Sequence, residues 1–257
     1  MLRKSQFEGL AQKVIKNYYR EFAGSLQNNS HSQALLYAQK IESLRANFLN
    51  YLEISYTHLA SIQPNRYYLE RIIINFLDSK SRKWELFTNC SDFKFKTCCT
   101  YSLEEFLKKD KIVGATLVCL GDQTDPSLIS EVGKKLSYFQ ERNQAVYSYL
   151  ISKELNTLKK QSLQPFSFVC YDPSVELNDF GSVLFGFQKN LQLNPVFLGS
   201  GGASFDHQTS EIKLKKIPYL LEIGTQNLIS WLVLAEYFDK LSQKSNIPLD
   251  SIIRDVS

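Results

Sequence analysis

Apolar residues recur every three or four positions through the first third of the chain. Phe7, Leu10, Val14, Tyr18 and Phe22 share one face of a helix that stops around Gly24 to Ser30. Ser30 or Ser32 is placed to cap a second helix, whose stripe of Leu35, Ala38, Ile41, Leu44, Phe48, Leu52 and Leu59 continues until Pro64. Asn65 can cap a third, carrying Leu69, Ile72, Ile73, Phe76 and Leu77. Three antiparallel helices with short turns form a bundle or a packed layer, so residues 1–88 read as a helical unit.

The period shortens after Asn89, where Phe93 and Phe95 alternate with Lys94 and Lys96 as in a strand with one wet face. Such lysines guard an edge strand, and interleaved with aromatics they also suit single-stranded nucleic acid. Three short apolar runs follow, at 112–120, 165–171 and 194–198. Between the first two, Asp125 stands at a cap, Pro126 at the first helical position, and Leu128, Ile129, Val132, Leu136 and Phe139 form a helical stripe within 127–150. Strand, helix and strand make a crossover unit, whose right-handed connection sets the two strands parallel. "YLLEIG", from Tyr219, reads as a further strand and 226–242 as a closing helix. The expected class is α/β, with a helical N-terminal third packed on or beside a mixed, partly parallel sheet. Residues 89–257 form the α/β region that holds the candidate site.

A chain of 257 residues can bury a core without disulfides. Its five cysteines are odd in number, two are adjacent, and the first residues lead into an amphipathic helix rather than an apolar signal segment, which together read as a reducing cytoplasm. The longest apolar run, Leu228–Ala235 with Ser230 inside it, is far short of the ~20 residues a bilayer requires, so no membrane association is expected. The net charge of +4 is mild, and its basic excess falls in the first third.

Ligands of a parallel sheet bind beyond the carboxyl ends of the strands, where loops and helix N termini converge. Three loops qualify: Gly121 to Asp125, the turn at Asp172–Pro173, and Gly199 to Gly202 with Asp206. Asp122, Asp125, Asp172 and Asp206 at one rim would suit a divalent metal or ribose hydroxyls. Asp125 serves equally as a helix cap, and Asp172–Pro173 as a turn. "VFLGSGGAS" resembles the cofactor loop of shikimate dehydrogenases, which implies that amides at Gly199, Gly201 and Gly202 meet a dinucleotide phosphate. A polar, β-like segment follows it in place of a striped helix, so a plain turn is the competing reading.

Glu211–Ile212–Lys213 resembles the Glu-x-Lys pairing of PD-(D/E)xK nucleases, in which two carboxylates hold Mg²⁺ and the lysine positions water. The resemblance implies Glu211, Lys213 and Asp206 as catalytic residues, and Asp172, Asp206 and Glu211 as metal ligands. Asp206 lies too close before Glu211 for a hairpin between them, which favours Asp172 or Asp179 as the second carboxylate. "LGSGGASFDHQT" is similar to backbone-gripping loops in RNA-binding proteins of the RAMP type. His31, His58 and His207 assemble neither a metal constellation nor a catalytic triad. The sequence therefore reads as a cytoplasmic, nucleic-acid-associated binding protein with RNA or DNA as partner, contacted by Lys213, Lys215, Lys216 and the basic helical third. A magnesium-dependent nuclease and a nucleotide-binding enzyme using the Gly199–Gly202 loop are the alternatives, and protein partners stay open.

Overall fold

The computed structural model describes residues 4–24, 30–81, 83–89, 99–122, 124–177, 181–196, 203–206, 211–222 and 227–244. Seven strands make one sheet: β1 (His58–Gln63), β2 (Trp84–Thr88), β3 (Cys99–Tyr101), β4 (Ala115–Leu120), β5 (Val146–Ser152), β6 (Phe168–Tyr171) and β7 (Val183–Gln188). Their spatial order is β1-β7-β6-β5-β4-β2-β3. Strands β3, β2, β4, β5 and β6 are parallel neighbours, and β7 lies antiparallel between β6 and β1. The helices are α1 (Lys4–Gly24), α2 (Ser30–Tyr51), α3 (Arg66–Lys80), α4 (Leu103–Lys108), α5 (Pro126–Gln140), α6 (Leu155–Lys159) and α7 (Leu228–Lys244). The class is the expected α/β, with helices against a mixed, largely parallel sheet.

Helices cover both faces of the sheet. Val118, Leu120, Leu150, Val169 and Leu184 enter one core with residues of α2, α5 and α7. Leu117, Cys119, Ile151, Phe168 and Phe185 enter another, closed by Leu69, Ile72, Ile73 and Phe76 of α3. Successive strand residues point to opposite faces, so a strand covered on both sides must be apolar throughout. All six residues of β4 and all four of β6 are buried accordingly. Each fully buried Leu or Phe contributes roughly 1.5–3 kcal/mol of transfer free energy.

The sequence pattern misplaces several elements. The second helix stops at Tyr51, because Glu53 adopts a left-handed φ of 59° and the Ile54 N–H returns to the Leu49 carbonyl. Leu59 follows Leu52 by two helical turns and so seems to extend the stripe, but it belongs to β1. The first third is thus not all helical, since β1 and β2 enter the main sheet. Helix α5 ends at Gln140 and 146–152 is β5, leaving β4 and β6 parallel with one strand between them. Strand β7, buried on both faces, was not anticipated. Residues 194 and 195 form no strand and Val196 lies in a bend, while Tyr219–Leu221 is a 3-10 turn. The hairpin judged too short does form: β8 (Ala203–Asp206) pairs antiparallel with β9 (Glu211–Leu214), setting Asp206 opposite Glu211. This pair joins no strand of the seven-stranded sheet. Phe93 to Lys96, and Gly199, Gly201 and Gly202, lie outside the described residues.

Candidate functional site at the carboxyl ends of the strands

The strand order turns round between β2 and β4, the place where an open α/β sheet normally leaves a ligand crevice. Here Asn89, just after β2, donates from Nδ2 to Thr124 Oγ1 at 3.2 Å, and Thr124 Oγ1 donates to the Gly121 carbonyl at 2.8 Å. The loops on the two sides of that turning point are therefore tied together. Next along the rim, Asp122 Oδ2 pairs with Lys153 Nζ at 3.1 Å, joining the ends of β4 and β5. Asp122 Oδ1 is buried and accepts no hydrogen bond from the described residues. The Asp172 N–H donates to the Ser152 carbonyl at 3.0 Å, which links β6 to β5.

Glu176 is the hub of the loop after β6. Its Oε2 accepts from the Leu155 N–H at 2.9 Å and from the Tyr171 hydroxyl at 3.0 Å, while Oε1 is buried without a partner among the described residues. Burial pushes its carboxyl above the usual range, against the opposing pull of those two donors. Burial likewise raises the phenols of Tyr51 and Tyr237, with the charge of Glu176 adding to the effect.

Four helices begin at this rim, each just after a parallel-running strand, and each N terminus is already met by a side chain of the protein. Asn65 caps α3 at the Tyr68 N–H. Ser102 and Glu105 form a capping box on α4. Asp125 Oδ1 accepts from the Ser127 N–H at 2.7 Å at the start of α5, and these Ser127 contacts hold its carboxyl below its usual range. Glu176 takes the first N–H of α6. At each start one of the free N–H groups that make it attractive to an anion is thus engaged, at α5 and α6 by a carboxylate.

Of the residues singled out by sequence, Asp122, Asp125 and Asp172 do stand on the rim. Asp125 acts there as a cap, and Asp172 accepts from the Ser174 N–H at 3.0 Å in its own turn. Asp206, Glu211 and Lys213 lie on the separate hairpin, and Lys213, Lys215 and Lys216 are exposed. Among the described residues, no group of three or more His, Cys, Asp or Glu could hold a metal. Sequence reasoning missed Lys153 and Glu176. The first follows the "VYSYLIS" run, and the second stands three residues after the Asp172–Pro173 turn.

No family model and no curated protein matches the sequence. Solved structures do match in fold. A cysteine desulfurase from Thermococcus onnurineus superposes with a TM-score of 0.61 at 14% identity, covering 91% of this chain and 64% of its own. A NifS-like protein from Rickettsia africae gives 0.58 at 15% identity, covering 90% and 66%. A phosphoserine aminotransferase from Cytophaga hutchinsonii gives 0.53 at 11%, covering 91% and 68%. The chain spans less than two thirds of the length of the first two. These neighbours are pyridoxal-phosphate-dependent enzymes of the aminotransferase fold.

That fold corrects the functional reading. It is not the fold of a PD-(D/E)xK nuclease, and Glu211 and Lys213 sit on a hairpin outside the main sheet, so the nuclease and its magnesium are withdrawn. Val196, the last described residue before the Gly199–Gly202 stretch, lies in a bend and not in a strand, and the neighbours overturn the dinucleotide-loop reading. The nucleic-acid-binding reading, with RNA or DNA as partner, is overturned by the same neighbours, and carboxylates dominate the loops at 121–125, 153–154 and 172–176. Among the described residues no helix is long and apolar enough to cross a membrane. Pyridoxal phosphate, the group this fold implies, requires a lysine amine, a group facing its ring nitrogen and a phosphate cradle. The described rim residues do not fit it, since α5 and α6 start against the carboxylates of Asp125 and Glu176, which repel a phosphate, and Lys153 is paired with Asp122.

Proposed function

We propose that the chain binds a small amine of the amino-acid class at the acidic rim. What carries this reading is that two oxygens on this rim, Asp122 Oδ1 and Glu176 Oε1, are buried acceptors, each lacking a donor among the described residues. Buried acceptors are normally satisfied, and an ammonium brings three donors with the complementary charge. Two of the structural neighbours act, by name, on cysteine and on phosphoserine, both amino acids. A cytoplasmic setting belongs to the same reading, in keeping with the free thiols Cys99, Cys119 and Cys170.

Titration with cysteine, serine and alanine, followed by thermal shift and calorimetry, tests it. At least one should raise the melting temperature in a concentration-dependent way, because a ligand that binds only the folded state stabilises it. The N-acetylated counterpart, which lacks the ammonium, should not. Asp122→Asn or Glu176→Gln should weaken the response. Equal responses to free and acetylated forms, or none at millimolar ligand, would end the proposal.

A further inference from the structure

We infer that this chain does not capture pyridoxal phosphate, and so holds the aminotransferase fold without its cofactor chemistry. Capture asks for a lysine amine that condenses with the aldehyde and releases water, and for an acid or arginine against the ring nitrogen. The aldehyde carbon and the ring nitrogen lie on opposite sides of the pyridine. The two protein groups that serve them must therefore have the ring between them.

In the loops that follow β1, β4, β5 and β6, the sequence carries one lysine, Lys153, and the segment after β2 carries Lys94 and Lys96, which lie outside the described residues. Its Nζ lies 3.1 Å from Asp122 Oδ2, a contact that leaves no room for a ring between amine and carboxylate. The segment from Asp172 to Ser182, joining β6 to β7, has no lysine at all.

The phosphate end fails independently. Pro64 brings no N–H to the start of α3, the Asn65 side chain already holds the Tyr68 amide, and Arg66 is ion-paired with Glu70 in the helix itself. At α5 and α6 a phosphate would meet the carboxylates of Asp125 and Glu176, where like charge opposes its approach. Among the described residues of this rim, the lysine and the helix starts at α3, α5 and α6 are thus bonded within the protein or fronted by a group of the wrong charge.

The experiment takes the full chain with excess pyridoxal phosphate, reduces it with borohydride and maps modified lysines by mass spectrometry. Labelling of Lys153 should not exceed that of exposed lysines such as Lys83 and Lys134, and total incorporation should be unchanged in Lys153→Arg. Gel-filtered protein that was not reduced should keep no cofactor absorbance. One adduct per chain at a single rim lysine, whether Lys153, Lys94 or Lys96, lost in the matching arginine variant, would overturn the inference. So would an absorbing complex that survives gel filtration. No amine ligand enters this assay, so its outcome stands apart from that of the amine-binding test.

Discussion

His58 has no exposed surface, and both of its ring nitrogens are engaged. Nε2 lies 2.7 Å from the Phe166 carbonyl, which can only accept, so Nε2 carries the hydrogen and Nδ1 accepts from the Thr57 hydroxyl at 2.7 Å. This neutral tautomer satisfies the site; a second ring proton would turn the Thr57 hydroxyl toward the Ile54 carbonyl, 3.3 Å away, and would put a charge where burial opposes it. Burial lowers the imidazole from 6.5 to about 4, with the Phe166 carbonyl pulling the other way and Lys189 adding to the drop. The unfolded chain therefore takes up a proton as pH falls through 6.5, whereas the folded chain takes it up only near 4. Stability contributed by the neutral ring is present above pH 6.5 and is lost as pH falls toward 4, by roughly 3 kcal/mol in all. Urea denaturation of the wild type and of His58→Gln across that window checks the sign. The difference between the two should change with pH between 6.5 and 4, and a constant difference would contradict the assignment.

At the level of elements, α5 shows what a sequence can announce. Asp125, Pro126 and the stripe of Ile129, Val132, Leu136 and Phe139 are local signals, and each is realised in the cap and in the buried face. Asp125→Ala should cost about 1 kcal/mol with an unchanged denaturant slope, because one N-terminal N–H loses its acceptor while the buried surface stays the same. An unaltered melt would show that the cap contributes nothing. Strands were harder to read than this helix, for a physical reason. Doubly buried strands such as β1 and β7 carry no polar alternation, so short apolar runs there look like helix or go unnoticed. The rim was legible as loops, through Asp122, Asp125 and Asp172, but not as a set of partnerships. Lys153 meeting Asp122, or Glu176 capping α6 from the following loop, depends on which strands lie side by side. Those contacts cross tens of residues and leave no periodic trace.

For the whole molecule, the outer edge of β1 decides whether the sheet ends or continues. An end strand offers unpaired backbone groups to any passing strand. Here the Ile62 N–H donates to Glu222 Oε1 at 3.0 Å, and Gln63 Nε2 donates to the Leu221 carbonyl at 3.1 Å, so the segment around the 3-10 turn closes that edge. Arg45 of α2 holds Glu222 in place, with Nη2 at 2.7 and 2.6 Å from its two carboxylate oxygens, and both residues are almost fully buried. Burial pushes the Glu222 carboxyl above its usual range, with the charge of Glu42 adding to it, and Arg45 opposes that shift. A buried pair of this kind adds little over an apolar replacement, yet removing one partner strands the other in a medium that cannot solvate it. Arg45→Ala should therefore lower stability by about 3–5 kcal/mol, read from chemical denaturation. Adding Glu222→Gln should recover part of the loss, since the amide oxygen still accepts from Ile62 and no buried charge remains. Hydrogen exchange at Ile62 should quicken in the single variant and slow again in the double one. A loss below about 1 kcal/mol, the scale of an exposed pair, would mean that water reaches Glu222 and that the edge is closed by packing alone.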